Sequence, residues 1–271
     1  MSITLMYITN RPAVASIAQE AGVDRIFLDM EYIGKSLRQC GMDTVQCSHT
    51  IEDIRNVRKV IDKSEILVRC NSMYEGSEQE IEDIISAGAD VIMLPYFKTV
   101  EEAERFISFI RGRVKVNLLV ETPEALEQID DILALKGIDE VHVGINDLSL
   151  GYGDKFLFEV LADGKVDYLC GKCRDKNIRY GFGGIASLGK GMLPSEHVIM
   201  EHYRLGSSMV ILSRSFCNLS EISDLDEIRK LFTDGVRKIR EYEEYCMAHP
   251  EKWDANRKET ARLIAKIAEN M

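Results

Sequence analysis

Residues 87–94 read Ala87-Gly-Ala-Asp-Val-Ile-Met-Leu94. An amphipathic stretch, Ser77–Ala87, stops at a glycine, and an apolar run follows almost at once. A glycine just past a helix end relieves the left-handed cap. A short run that is apolar on both faces marks a buried parallel strand. The same grammar recurs at Ala21-Gly-Val-Asp-Arg-Ile-Phe-Leu28 and at Lys136-Gly-Ile-Asp139. Working outward, strands are expected at Ile3–Tyr7, Arg25–Asp29, Ile66–Arg69, Val91–Leu94, Val114–Val120, Glu140–Val143, Ile178–Phe182 and Met209–Leu212. Helical patterns fill Val14–Glu20, Ile51–Ile61, Ser77–Ala87, Glu101–Ile110, Pro123–Leu133 and Ser195–Arg204.

Eight strands before residue 245 leave about thirty residues per unit, the size of a βαβ module. Eight such units close into a ring. An open nucleotide-binding sheet would carry GxGxxG after its first strand, and Asn10-Arg-Pro12 stands there instead. The expected fold is therefore α/β, a (β/α)8 TIM barrel over residues 1–245, with residues 246–271 as an extra C-terminal helical arm. Within that arm, Trp253–Ala268 places Leu263, Ile264, Ile267 and Ala268 on one side. It can pack back on its own barrel or reach a neighbouring subunit; a barrel that already has its eight helices does not need it, which favours the contact between copies of the chain.

Lys and Arg number 34 against 45 Asp and Glu in 271 residues, a net charge of −11. Nucleic acid and anionic membranes call for cationic surfaces, so neither is an expected partner. No apolar run approaches the ~18 residues of a membrane span, and Met1–Asn10 lacks the pattern of a signal peptide. The seven cysteines are odd in number and scattered. They read as reduced thiols of a cytoplasmic protein. Cys170 and Cys173 form a lone CxxC, read as helix positions rather than a zinc or redox pair.

A β/α barrel carries its active site at the C-terminal ends of its strands. Those ends hold Asp29-Met-Glu-Tyr32, Arg69-Cys-Asn71, Glu121-Thr-Pro123, Gly144-Ile-Asn-Asp-Leu-Ser149, Gly181-Phe-Gly-Gly184 and Ser213-Arg-Ser215. Glu121 and Asp147 belong to successive strands. Two hard oxygen ligands without His or Cys suit Mg²⁺ or Mn²⁺ and leave positions for a chelating 2-oxo acid. Bound there, such an ion stabilises an enolate. The same two acids also suit plain helix ends, with Thr122 as cap and Pro123 in the first turn. Arg69 offers a permanent cation to a carboxylate or enolate oxygen, or a salt bridge to Glu31. Gly183 and Gly184, with Arg214 beside them, suit an anion such as phosphate, or simple turn geometry. Among the histidines, His142 reads as packed, His202 as a surface or interface residue, and His49 as a candidate acid or base.

These segments together resemble the HpcH/HpaI aldolase / citrate lyase β-subunit superfamily, whose fold is the phosphoenolpyruvate/pyruvate barrel. The resemblance covers roughly residues 14–215. It is carried by residues 21–31, by Leu67-Val-Arg-Cys-Asn71, by residues 87–95, by Val120-Glu-Thr-Pro-Glu-Ala125 and by residues 144–149. It implies that Glu121 and Asp147 bind the metal, that Arg69 binds substrate, and that the backbone near Asn146 and Asp147 receives a carboxylate. It implies cleavage of 4-hydroxy-2-oxo acids to pyruvate and an aldehyde with Mg²⁺ or Mn²⁺. It also implies a homo-oligomer, trimer or hexamer, with exchanged C-terminal helices.

One departure stands out. The aldolase branch has Asp-x-Glu-His where this chain has Asp29-Met-Glu-Tyr32. A tyrosine with its ordinary pKa near 10 is a poor base at neutral pH. Gly34-Lys-Ser-Leu-Arg-Gln39 is instead similar to the citrate lyase branch. Lys35 and Arg38 are then expected either to hold a phosphate or carboxylate of the second substrate half, or to be solvated loop charge. The expected function is a divalent-metal-dependent C–C lyase acting on a small carboxylate, phosphorylated or not. Arg69 would steady the enolate, Glu31 would orient a metal-bound water, and Tyr32 or His49 would move protons. The alternatives are cleavage of an acyl-CoA thioester and a non-catalytic barrel that binds oxo acids.

Overall fold

The computed structural model describes residues 2–34 and 49–271. Seven strands follow one another around the sheet, each parallel to the last. They are β1 (Thr4–Ile8), β2 (Arg25–Asp29), β3 (Glu65–Arg69), β4 (Val91–Leu94), β5 (Lys115–Val120), β6 (Glu140–Val143) and β7 (Arg179–Phe182). The short β8 (Gly184–Ile185) pairs with β9 (Met209–Leu212), which pairs with β1. β7 and β8 are two halves of one strand, broken at Gly183 with φ +57°. The first half pairs with β6 and the second with β9. Ser208 N–H donates to Tyr180 O (2.8 Å) and Ile211 N–H to Gly183 O (3.3 Å), which closes the ring. The nine segments thus make the eight strand positions of a TIM barrel.

Among the described residues the helices are α1 (Pro12–Glu20), α2 (Ile51–Arg58), α3 (Ser77–Ala87), α4 (Val100–Ile110), α5 (Pro123–Glu127), α6 (Ile129–Ile132), α7 (Ile145–Tyr152), α8 (Glu159–Ala162), α9 (Lys165–Asp175), α10 (Ser195–Leu205), α11 (Leu225–Ala248) and α12 (Trp253–Glu269). The Gly-x-Asp turns do more than end helices. Asp24, Asp90 and Asp139 each accept a backbone N–H from the strand before, at Leu5 (2.8 Å), Ile66 (2.7 Å) and Val116 (2.8 Å). Each carboxylate thus locks the start of one βα unit to the start of the next.

The barrel interior is layered. At its N-terminal end Arg25, 1% exposed, donates to both oxygens of Glu140 at 2.5 and 2.7 Å and to Glu65 at 2.8 Å. Above this ionic plug lie Met6, Phe27, Leu67, Met93, Leu119 and Met209. Charge at the bottom and hydrocarbon in the middle leave the C-terminal mouth as the place for polar chemistry.

The chain ends in two long helices, α11 and α12. The boundary at residue 245 falls inside α11, whose buried Ile228, Phe232, Val236, Ile239 and Cys246 carry one apolar face through to Ala248. His249 leaves helical geometry and Pro250, which has no N–H, follows. The arm does not extend from the barrel: α12 lies on α10 and α8 of its own chain. Asn256 Nδ2 donates to Glu201 Oε1 (2.8 Å) and to His197 O (3.1 Å), and Ile264 is buried.

The CxxC pair lies in α9 with both thiols buried. Burial pushes both thiols up, Cys173 to about 12, so they stay protonated packing residues.

Candidate active site

Arg69 ends β3 and is held from two sides. Its Nε and Nη2 donate to Asp29 Oδ1 (2.9 Å) and Oδ2 (2.7 Å), and Nε lies 3.4 Å from Glu31 Oε2. Burial opposes the charge of Arg69. The charge and hydrogen bonds of Asp29, helped by Glu31 and Glu121, outweigh burial and raise its pKa further. The guanidinium is therefore permanently charged and fixed in direction.

Glu121 follows β5 and is 3% exposed. Its Oε1 accepts the N–H of Tyr96 at 2.9 Å. Tyr96 takes a left-handed backbone, φ +47°, to aim that N–H. Gly144 leaves room for the carboxylate: a Cβ built there would stand 2.5 Å from Glu121 Oε2. Thr122 caps α5 by accepting from Ala125 N–H (3.2 Å), and Pro123 sits in the first turn. The helix-start reading of this segment holds.

Asp147 lies in the first turn of α7, 8% exposed, on the same cavity as Glu121 and Arg69. That cavity measures about 390 Å³ and also touches Asn146, Gly183 and Gly184. Glu121 titrates well above the usual carboxylate range, first through burial, then through the charges of Asp147 and Glu31; Arg69 pulls the other way. Three carboxylates thus converge where one guanidinium supplies the only cation among the described cavity-lining residues. A second cavity on the outer side of Glu121 and Asp147 is bordered by Tyr96, Lys98 and Glu124.

Several expected residues lie elsewhere. Tyr32 is 67% exposed and does not border the cavity; its N–H donates to Asn71 Oδ1. His49 sits at the end of β2, where Nδ1 accepts the N–H of Asp29 at 2.9 Å, and it too stands off the cavity. Arg214 is not on the cavity wall either; its neighbours Ser213 and Ser215 are. Lys35 and Arg38 lie outside the described residues. His202 is not a surface residue: it is fully buried, stacked 3.8 Å from Phe182, with Nδ1 2.7 Å from Ser207 Oγ. His142 is packed as expected, its Nε2 3.2 Å from Gly183 O.

Sequence reasoning passed over Asp29 as the anchor of Arg69, and Asn71, which accepts the N–H groups of Tyr32 and Ile33. It also missed the donor at Tyr96. Asp29 was legible as an acid two residues before Glu31. Tyr96 left no signal, because a bulky residue in left-handed geometry is exceptional.

Among the described residues no three of His, Cys, Asp and Glu form a metal-holding group. Glu121 and Asp147 are a pair, which suits an ion that keeps most of its positions for water and substrate.

Comparison with known proteins bears on the fold and on descent. The family model for HpcH/HpaI aldolase/citrate lyase matches residues 3–156. The 2-keto-3-deoxy-L-rhamnonate aldolase of Escherichia coli (strain K12) is 27% identical over 175 residues, covering 52% of this chain and 59% of the relative. The chain thus spans little more than half the length of the curated relative it matches. A HpcH/HpaI aldolase/citrate lyase family protein from Burkholderia cenocepacia J2315 superposes with a TM-score of 0.63 at 14% identity, covering 84% of this chain and 95% of that one. The citrate synthase SbnG superposes with a TM-score of 0.61 at 15% identity, covering 89% and 94%. At such identities the two structures speak to the fold, and the family model speaks to descent: the chain belongs to the HpcH/HpaI aldolase/citrate lyase family.

Proposed function

We propose that the chain is a divalent-metal-dependent C–C lyase of the aldolase type, acting through the enolate of pyruvate or a related 2-oxo acid. The observation that carries this reading is the convergence of Glu121, Asp147 and Arg69 on one cavity at the barrel mouth, with Glu31 buried behind them against Arg69. A buried carboxyl pushed up by two neighbouring carboxylates fits a place that a cation normally neutralises. Glu121 and Asp147 would hold Mg²⁺ or Mn²⁺, since both offer hard oxygen donors. A bound ion of this kind would supply charge stabilisation for an enolate oxygen.

The chain's own groups do the rest. Arg69, locked by Asp29, presents a fixed positive charge beside the developing oxyanion. The backbone at Asn146 and Asp147 opens α7, and a helix start favours a substrate carboxylate. Glu31, buried against Arg69, orients water at the reacting carbon.

The test is exchange of pyruvate methyl protons in D₂O, followed by NMR with Mg²⁺, Mn²⁺ or chelator. Metal-dependent exchange that disappears in Glu121→Ala is expected. Exchange that survives both chelation and Glu121→Ala would refute the reading. The outward position of Tyr32 favours a second reading, a barrel that binds oxo acids without turning them over. Tight metal-dependent pyruvate binding with no exchange would select it.

A further inference from the structure

The cavity has two unlike ends. One holds the carboxylates and Arg69. The other is walled by Phe156, Phe158, Ile185, Leu193 and Val198, all buried, with Met192 at the rim, 63% exposed. Its polar groups include the uncharged hydroxyls of Ser213 and Ser215. Among the described residues no lysine or arginine borders this end, and Arg214 stands off it. From the described residues a phosphate or second carboxylate placed here would gain no counter-charge for the water it loses, which is costly.

We infer that this apolar end receives the acceptor half of the substrate, and that the acceptor is an uncharged aldehyde with an alkyl or aryl tail rather than a polyol, a phosphate ester or a semialdehyde acid. The inference rests on the function proposed above and names the substrate class of the same site. In the bond-forming direction C3 of pyruvate loses a proton and bonds the aldehyde carbon. The aldehyde oxygen gains a proton, giving a 4-hydroxy-2-oxo acid, and no oxidant or reductant is involved. The tail beyond C4 then lies against Phe158 and Leu193, where each buried methylene gains contact and sheds water. The alternative exit is the second cavity, beside Lys98, which pairs with Glu124 at 2.8 Å.

The 2-oxo acids with unbranched tails probe this without turnover. Pyruvate, 2-oxobutanoate, 2-oxopentanoate and 2-oxohexanoate are titrated calorimetrically into the full chain loaded with Mn²⁺, with 2-oxoadipate as the charged-tail control. Affinity should rise by about fourfold per added methylene until the wall is reached, and 2-oxoadipate should bind more weakly than 2-oxohexanoate. Met192→Lys changes an exposed side chain and leaves the core intact. It should blunt the alkyl gain several-fold and reverse the order of the two six-carbon acids. A flat series, or tighter binding of 2-oxoadipate by the unaltered protein, would overturn the apolar acceptor while leaving the pyruvate reading in place. Loss of all metal-dependent pyruvate binding would overturn both.

Discussion

Gly144→Ala isolates one contact of the site. Gly144 has φ −81° and ψ 81°, values that alanine tolerates, so backbone strain plays little part. The cost is steric. The new Cβ would stand 2.5 Å from Glu121 Oε2 and 2.6 Å from its Cβ, where ordinary contact begins at 3.4 Å. One of the two groups must move by most of an ångström. Glu121 is tied at Oε1 by the Tyr96 N–H and enclosed by protein, and with its Cβ crowded as closely as Oε2 the whole side chain is displaced. A displacement of that size at a reacting centre costs on the order of 100-fold in rate. Overpacking of a dense interior costs about 1–3 kcal/mol. In a chain of this length each kcal/mol lowers Tm by about 2–4 °C. The assay pairs Mn²⁺ titration with pyruvate proton exchange, and records Tm alongside. Gly171→Ala serves as the control. It sits in α9, its Cβ would meet nothing closer than 3.8 Å, and alanine favours helix by about 0.5–1 kcal/mol. Wild-type Mn²⁺ affinity and exchange in Gly144→Ala would show that the Glu121 pocket is not where metal and substrate meet.

Three other substitutions or conditions probe the rest of the barrel. Arg25→Met leaves Glu140 buried with Arg179 as its remaining cation at 3.0 Å and the Asn117 amide at 3.2 Å. Unfolding should become easier by about 3–5 kcal/mol, while Arg25→Met with Glu140→Met recovers most of it; a Tm drop under about 2 °C in the single variant would discredit the plug. Burial holds His142 at about 4 and, with help from the His142 charge, His202 at about 3. Below their ordinary value near 6.5 the unfolded chain takes up protons that the native chain refuses. The unfolding free energy from urea titrations should therefore fall between pH 7 and pH 5 by up to about 1.4 kcal/mol per pH unit per histidine, and a flat profile there would contradict the burial. Tyr96→Gly keeps the N–H that Glu121 uses and relieves about 1–2 kcal/mol of backbone strain; exchange activity near wild type is expected, and a loss above tenfold would assign the ring a role of its own.

The strands were legible to within a residue or two because parallel strands buried on both faces must be apolar throughout. Glu121, Asp147 and Arg69 were legible because the barrel sends every strand end to one mouth. Three kinds of feature were not. The α7 helix hides in Gly144-Ile-Asn-Asp-Leu-Ser149, where Ile145 and Leu148 continue the apolar run of β6 without a helical cap to announce the change. The wall of Phe156, Leu193 and Val198 is assembled from segments far apart in the chain, so no local period betrays it. His202 lies in a helix whose buried face is broader than its sequence suggests, extending to Glu201 and Ser195. Local patterns report which face is buried; they do not report which distant side chains share it.

The seam between the two ends of the chain bears on how the protein is made. Ile3 N–H donates to Glu243 Oε1 at 2.7 Å, 240 residues later, and Arg240 donates to Ile3 O and Asp24 Oδ2. β1 can pair with β2 soon after synthesis, but its other edge waits for β9. At about 5–20 residues per second the wait on the ribosome is roughly 10–50 s. Throughout that interval a nascent half-barrel carries an open, apolar strand edge of the kind that invites pairing with other chains. The last latch to emerge, on α11, pins the first strand after β9 has paired with its open edge. A stalled or truncated translation product ending before β9 therefore keeps one edge of its N-terminal strand unpaired.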